Sequence, residues 1–176
     1  MKKNKAIFFD RDGVINRALI KNKKPFSPTK LQDFKIYKDF KIFNKLKKKF
    51  YFIIITNQPD LRNKKITKKL MNAFHKKINN VVKMNKIIVC DHIDIDKCDC
   101  RKPRNGSILK MKKQFNLNLK ESYLIGDRWK DMVAGNRSKC INIFIDRNYK
   151  ETKGKRFKYK IKCKSLNEAY KFINGL

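Results

Sequence analysis

Carboxylates are scarce in this sequence, and they are not scattered. Of 15 Asp and Glu, nine fall in three short stretches: Asp10 and Asp12; Asp91, Asp94, Asp96 and Asp99; Glu121, Asp127 and Asp131. Asp10 and Asp12 stand two residues apart in Phe8-Phe9-Asp10-Arg11-Asp12-Gly13. Carboxylates so close repel unless a cation lies between them or one keeps its proton. A hard divalent ion with oxygen ligands, most plainly Mg²⁺, would resolve the conflict. An Asp-x-Asp pair that only caps a turn needs none.

Three further strings could serve the same chemistry. Thr56-Asn57-Gln58 offers a hydroxyl, backbone N–H groups and amides to phosphate oxygens, or is a polar turn. Arg101-Lys102-Pro103 brings two cations, or merely two more among 47 Lys and Arg. Gly126-Asp127-Arg128-Trp129-Lys130-Asp131 supplies two carboxylates, or an ordinary turn in which Asp caps a helix. A different chemistry is written in Cys90, His92, Cys98 and Cys100, two pairs of soft ligands separated by a short loop. Tetrahedral Zn²⁺ takes four such N/S ligands, although the spacing is not that of a zinc finger. Asp94, Asp96 and Asp99 lack the calcium-loop pattern and read as solubilising groups or partners of neighbouring side chains. Cys140 and Cys163 stand apart and read as buried thiols.

Short apolar runs alternate with amphipathic ones and must position these groups. Strands are expected at Ala6–Phe9, Tyr51–Ile55, Ile87–Cys90, Tyr123–Ile125 and Ile141–Ile145. Helices are expected over 39–49, where Phe40, Phe43 and Leu46 recur, and over 67–83, 107–115 and 130–137. A last helix opens with the capping box Ser165 to Glu168. This alternation predicts an α/β fold, a central parallel sheet with helices on both faces. Ligands of such sheets bind beyond the carboxyl ends of the strands, where Asp10, Thr56, Cys90 and Asp127 all stand.

Composition bounds the rest. A chain of 176 residues suits one domain, and 13 Phe supply apolar mass for a core despite a net charge of +32. The longest apolar stretch, Phe50 to Ile55, is far short of the roughly 20 residues that cross a bilayer, so a cytoplasmic protein with no membrane partner is expected. The charge is carried by 38 Lys against nine Arg, spread over almost every segment. Arg is the residue that bidentate recognition of phosphates and bases favours. The basic surface therefore reads as a general attractant for anions, without a specific nucleic-acid site.

Asp10-x-Asp12, Thr56-Asn57-Gln58, Arg101-Lys102-Pro103 and Gly126-Asp127, in this order and each at or beside a strand end, resemble the motifs of the haloacid dehalogenase superfamily of phosphohydrolases over residues 5 to about 147. With the Cys/His loop directly before Arg101-Lys102-Pro103, the chain is similar to the heptose-bisphosphate phosphatases and related histidinol-phosphate phosphatases of that superfamily. Departures are Pro59 after Thr-Asn-Gln, Asn105 in place of a second Pro, a short Cys/His loop and an unusual segment 17–29 that would cover the site. The resemblance implies a Rossmann-like domain with little or no cap, and a small phosphorylated sugar as substrate. A monomer is expected. It implies Asp10 as nucleophile, Asp12 as general acid and base, and Thr56, Asn57, Gln58 and Lys102 around the phosphate. Mg²⁺ would be held by Asp10, the main-chain carbonyl of Asp12, and Asp127, with Asp131 orienting Lys102 or a water on the metal. Arg101 and Arg128 would contact the rest of the substrate, and Zn²⁺ would sit on Cys90, His92, Cys98 and Cys100. The alternatives are a histidinol-phosphate phosphatase, a polynucleotide 3′-phosphatase, which shares the Asp-x-Asp chemistry, and a non-catalytic basic nucleic-acid-binding protein, which would leave the acidic motifs unexplained.

Overall fold

The computed structural model describes residues 3–176. Six strands, β1 (Ala6–Phe9), β4 (Tyr51–Asn57), β5 (Lys86–Cys90), β6 (Tyr123–Gly126), β7 (Ile141–Ile145) and β8 (Ile161–Cys163), form one sheet in the order β5-β4-β1-β6-β7-β8. Every pairing in it is parallel. Strand alternation sends Ile7 and Phe9 to one face and Ala6 and Phe8 to the other, and each face carries its own core. Against the first face pack α2 (Lys68–Val81), through Met71, Phe74 and Ile78, and α5 (Leu166–Asn174), through Leu166 and Ala169. Against the second pack α3 (Gly106–Phe115), through Ile108 and Met111, and α4 (Trp129–Arg137), through Met132 and Ala134. A single turn, α1 (Pro59–Arg62), follows β4. Among the described residues no helix is long and apolar enough to cross a membrane.

Three elements differ from the sequence reading. The helix expected over 39–49 is a 3₁₀ helix, Lys38–Leu46. Its buried residues Phe40, Phe43 and Leu46 recur every three positions, and a coil of three residues per turn puts them on one face. Segment 17–29 contains an antiparallel hairpin, β2 (Leu19–Lys21) and β3 (Lys24–Phe26), turned by Asn22 and Lys23, both at positive φ. The edge strand β8 also escaped the periodicity, because Ile161 and Cys163 alternate with lysines over only three residues.

From β1 the chain builds outward through β4 to β5 and then crosses back to β6 on the other side of β1, so the strand order reverses there and a crevice opens beyond the carboxyl end of β1. Gly13, just past that end, lies at φ +93°, and a Cβ there would stand 1.7 Å from Asp127 Oδ2. Only glycine lets the β1 and β6 loops approach so closely.

Candidate active site

Lys102 is the pivot of the crevice. The chain carries it over the ends of β1 and β4, where the side chain of Asn57 pairs with its main chain: Asn57 Nδ2 donates to Lys102 O at 3.0 Å and Lys102 N donates to Asn57 Oδ1 at 3.1 Å. The buried ammonium then lies 2.6 Å from Asp10 Oδ1 and 2.6 Å from Asp131 Oδ1, and donates to Ile55 O at 2.8 Å. Burial weakens its hold on the proton, but the charges of Asp10 and Asp131 outweigh burial and keep it protonated.

One cation cannot balance the carboxylates around it. Ligand oxygens of Asp10, Asp127 and Asp131 lie within 4.8 Å of one another, and all three residues are buried. Burial, with the charges of Asp131 and Asp12 and against that of Lys102, raises Asp10 to about 6. Burial and the charges of Asp10 and Asp131 push Asp127 well above the usual carboxylate range. Among the described residues neither Asp127 oxygen makes a well-aligned hydrogen bond, and the Tyr149 hydroxyl, close enough to favour the charged form, does not offset burial. A buried carboxylate without donors or counter-charge is costly. Hard oxygen donors short of one positive centre fit a divalent cation such as Mg²⁺.

Asp12 is held in the opposite state. Arg11, fully buried beside the stacked rings of Phe34 and Phe74, reaches Asp12 Oδ2 at 2.8 Å and Oδ1 at 3.1 and 3.2 Å. Asn16 Nδ2 donates to Oδ1 at 2.9 Å; Gln58 Nε2 and Ser27 Oγ donate to Oδ2 at 2.7 and 2.8 Å. Burial would raise this carboxyl, yet Arg11 and the hydrogen bonds outweigh it and hold Asp12 below the ordinary range. The free protein therefore presents Asp12 ionised.

The structure brings Asp10, Asp12, Thr56, Asn57, Lys102, Arg128 and Asp131 to one cavity, also lined by Pro25 and Phe26 of the hairpin and by Ser27 just after it. It corrects other expectations. Gln58 does not face a substrate: it is fully buried, and its amide spans Asp12 and Thr56 Oγ1. The Asn57 side chain is likewise committed to the main chain of Lys102. Arg101 donates through Nε to Asp94 Oδ1 at 2.7 Å rather than standing free. Arg128 lines the cavity while held by both oxygens of Glu151, one contact at 2.7 Å. Arg11, Ser27, Tyr149 and Glu151 escaped the sequence reading. Arg11 sits inside the Asp-x-Asp string and could have been noticed as a cation between two carboxylates. Tyr149 and Glu151 carry no local signal, because they arrive from beyond β7.

The soft cluster is compact. Cys100 Sγ lies 3.2 Å from Cys90 Sγ, 3.5 Å from Cys98 Sγ and 3.4 Å from His92 Nδ1; Cys90 Sγ lies 3.6 Å from His92 Nδ1 and 3.8 Å from Cys98 Sγ. A tetrahedron with metal–sulfur bonds of about 2.3 Å has edges of roughly 3.8 Å, so the donors fit Zn²⁺ in number, type and separation. The loop leads straight into Arg101 and Lys102, and Ser107 and Arg104 pin it by donating to Cys100 O and Cys98 O.

Residues 5–161 match the family described as polynucleotide kinase 3 phosphatase. The chain is also 30% identical, over 97% of both sequences, to D-glycero-beta-D-manno-heptose-1,7-bisphosphate 7-phosphatase of Helicobacter pylori. The chain belongs to this phosphatase family. A second relative of the phosphatase, D-glycero-alpha-D-manno-heptose-1,7-bisphosphate 7-phosphatase of Campylobacter jejuni, is 35% identical over 76% of this chain and 77% of its own. The fold is shared with D,D-heptose 1.7-bisphosphate phosphatase from B. bronchiseptica, crystallised with magnesium and phosphate, at a TM-score of 0.79 and 20% identity over 98% of this chain and 99% of that one.

Proposed function

We propose that this phosphatase removes the 7-phosphate of a D-glycero-D-manno-heptose 1,7-bisphosphate through an aspartyl-phosphate on Asp10. The observation that carries the reaction is the Asp10 carboxylate, fixed 2.6 Å from the Lys102 ammonium in a cavity that Thr56 also lines. The substrate rests on the H. pylori relative, matched over 97% of both chains. The two heptose relatives are named for opposite anomers, so both anomers belong in the assay.

Asp10 attacks phosphorus in line, forming an acyl phosphate as the bond to the sugar oxygen breaks. Lys102 and the Thr56 hydroxyl hold the transferring oxygens, while Asp131 and Asn57 keep Lys102 in place. Asp12 is ionised in the free protein, but beside a phosphate dianion its carboxyl is driven back up, and the proton it takes passes to the departing sugar oxygen. Ionised again, it draws a proton from the water that hydrolyses the acyl phosphate. The carboxylates of Asp10 and Asp127, with the main-chain carbonyl of Asp12, would hold Mg²⁺, which supplies the positive charge these buried groups lack. Arg101 and Arg128 contact the remainder of the substrate. Zn²⁺ on Cys90, His92, Cys98 and Cys100 would leave no open position and would shape the loop that presents Arg101 and Lys102. We place the enzyme as a monomer in the reducing cytoplasm, where those thiols stay free to bind metal.

The family's description and the +32 charge favour a second reading, a polynucleotide 3′-phosphatase. Against it, Pro25 and Phe26 of the hairpin and Ser27 just after it line the cavity, and the curated relatives above are named for sugar phosphates. Phosphate release is to be measured at about 0.15 M salt from both heptose bisphosphates, histidinol phosphate and a 3′-phosphorylated oligonucleotide. The heptose bisphosphate should be the best substrate. An enzyme making 6–10 phosphate contacts to a polynucleotide would lose roughly 10³–10⁵ in affinity between 0.05 and 0.2 M salt. Efficient oligonucleotide dephosphorylation with that salt dependence would replace the sugar reading.

A further inference from the structure

Asp12 accepts hydrogen bonds from four side chains, and three of them meet it through nitrogens that can only give. Arg11 carries no acceptor at all. Asn16 Nδ2 and Gln58 Nε2, at 2.9 and 2.7 Å from Asp12, also donate to Arg17 O at 3.0 Å and to Thr56 Oγ1 at 2.8 Å. Turning either amide over would break both of its bonds, and Arg11, Asn16 and Gln58 are all fully buried. Ser27 differs. Its Oγ donates to Asp12 Oδ2 at 2.8 Å, and the residue is only partly buried and lines the cavity. A hydroxyl both gives and takes hydrogen bonds, and it exchanges one role for the other by rotating a single hydrogen. Among the described residues it is thus the one partner of Asp12 that can reverse its bond while every heavy atom stays in place. Ser27 is also firmly held. The buried Pro28 follows it and restricts its backbone to extended conformations. The hairpin before it is tied at its tip, where Lys150 N donates to Lys23 O at 3.0 Å.

The reaction calls for such a partner. When Asp12 takes a proton, an oxygen that only accepted becomes a donor, and the nitrogens of Arg11, Asn16 and Gln58 present it with N–H groups alone. We propose that Ser27 is a positioning residue for the acid step: its hydroxyl gives a hydrogen bond to Asp12 as carboxylate and takes one from Asp12 as carboxylic acid, so that the side chain keeps its place in the cavity through both halves of the reaction. No covalent bond to Ser27 is made or broken. The proton stays on Asp12 Oδ2, bonded to Ser27 Oγ, until the bond between phosphorus and the departing oxygen breaks. That oxygen, gaining negative charge, is then the stronger acceptor and takes the proton, and the Ser27 hydrogen turns back to Oδ2. The rotation runs in reverse when Asp12 draws a proton from water. The inference rests on the aspartyl-phosphate reading and adds to it a residue of segment 17–29.

The test varies the leaving group and little else. p-Nitrophenyl phosphate and phenyl phosphate are nearly the same shape, but p-nitrophenolate departs readily without a proton, whereas phenolate gains much from one. The second-order rate constant for each, which reports the steps up to the acyl phosphate, is measured with Mg²⁺ present and enzyme in excess, so that slow hydrolysis is still read. Ser27→Ala should lower the ratio of the phenyl to the p-nitrophenyl constant by about tenfold, the weight of one hydrogen bond to a charged group. Ser27→Thr keeps the hydroxyl on a β-branched residue suited to extended backbone and should restore most of the ratio. A Ser27 that only braces the hairpin would slow both esters alike. A fall with Ala that Thr reverses supports the proposal; equal slowing, an unchanged ratio or a fall that Thr leaves in place overturns it. The two readings fail separately. A ratio unchanged in Asp12→Asn rejects Asp12 as the acid and Ser27 with it, whereas a ratio that falls in Asp12→Asn but holds in Ser27→Ala rejects Ser27 alone. The identity of the sugar enters neither measurement.

Discussion

The two clusters of metal-type ligands in this phosphatase are linked through Lys102, two residues beyond Cys100 and in contact with Asp10, yet they are built on opposite electrostatic terms. In the carboxylate centre, Asp10, Asp127 and Asp131 are buried around one ammonium, and two of the three carboxyls are pushed upward. That centre is short of positive charge whether or not a substrate is present. In the Cys/His centre, only Cys90 is buried and the other three donors are partly open to solvent. Protonated thiols carry no charge, so this centre without metal is loose rather than strained. The contrast teaches that a site for chemistry can be destabilising on its own account, while a site for shape need only be close to tetrahedral.

Substitutions can break this contrast. The largest effect is expected at the nucleophile: Asp10→Asn should abolish Mg²⁺-dependent phosphate release while leaving the circular dichroism spectrum intact. Asp12→Asn should lose at least roughly 10²-fold, the usual share of general acid–base help. Full activity in Asp10→Asn would remove the aspartyl-phosphate from consideration. Next comes an inversion of sign. In metal-free protein, Asp127→Asn relieves a buried, unpartnered carboxylate and should raise stability to urea by about 1–3 kcal/mol, while removing the stabilisation that Mg²⁺ gives the wild type. A destabilised metal-free Asp127→Asn would show that the centre is balanced without a cation.

The soft cluster should behave in the opposite way. Protein purified without chelator should hold close to one zinc per chain, and Cys98→Ser should lower both zinc content and the protease resistance of residues 90–104. Full zinc occupancy in Cys98→Ser would exclude that sulfur as a ligand. The smallest effect lies behind Asp12. Burial and the nearby Arg11 charge lower His75 to about 4, and its Nε2 is buried without a partner among the described residues. Because the folded pKa is depressed below about 6.5, the stability it contributes is complete above that pH and is lost as pH falls through about 4. His75→Phe should flatten the urea midpoint across that window by about 1–2 kcal/mol relative to wild type, a figure reduced for partial exposure. An unchanged slope would mean that His75 meets solvent.

Strand periodicity made the sheet legible in advance, because β1 and the first five residues of β4 are continuous apolar runs, and β7 is broken only by Asn142, as buried parallel strands require. Helical winding was less legible: Phe40, Phe43 and Leu46 suit either three or 3.6 residues per turn until the packing chooses. The hairpin was hidden because Asn22-Lys23 turns the chain without the glycine that marks most such turns. Residue type located the crevice but misassigned duties within it. Gln58 has the amide of a phosphate ligand, yet burial spends it on Asp12 and Thr56. Glu151 could not be foreseen, since its value lies wholly in reaching Arg128 across 23 residues.

That last property is general to the site. The contact of Lys102 with Asp10 spans 92 residues of chain, and the hydrogen bond that ties Arg147 to Gly13 O spans 134. Neither can form until the strands between them have paired, and each carries the loop-closure cost of a distant encounter. The catalytic centre can therefore be complete only once the sheet that carries it has formed. Recovery of phosphate release during refolding should lag behind recovery of secondary structure, which makes the enzyme's own turnover a reporter of the completed sheet.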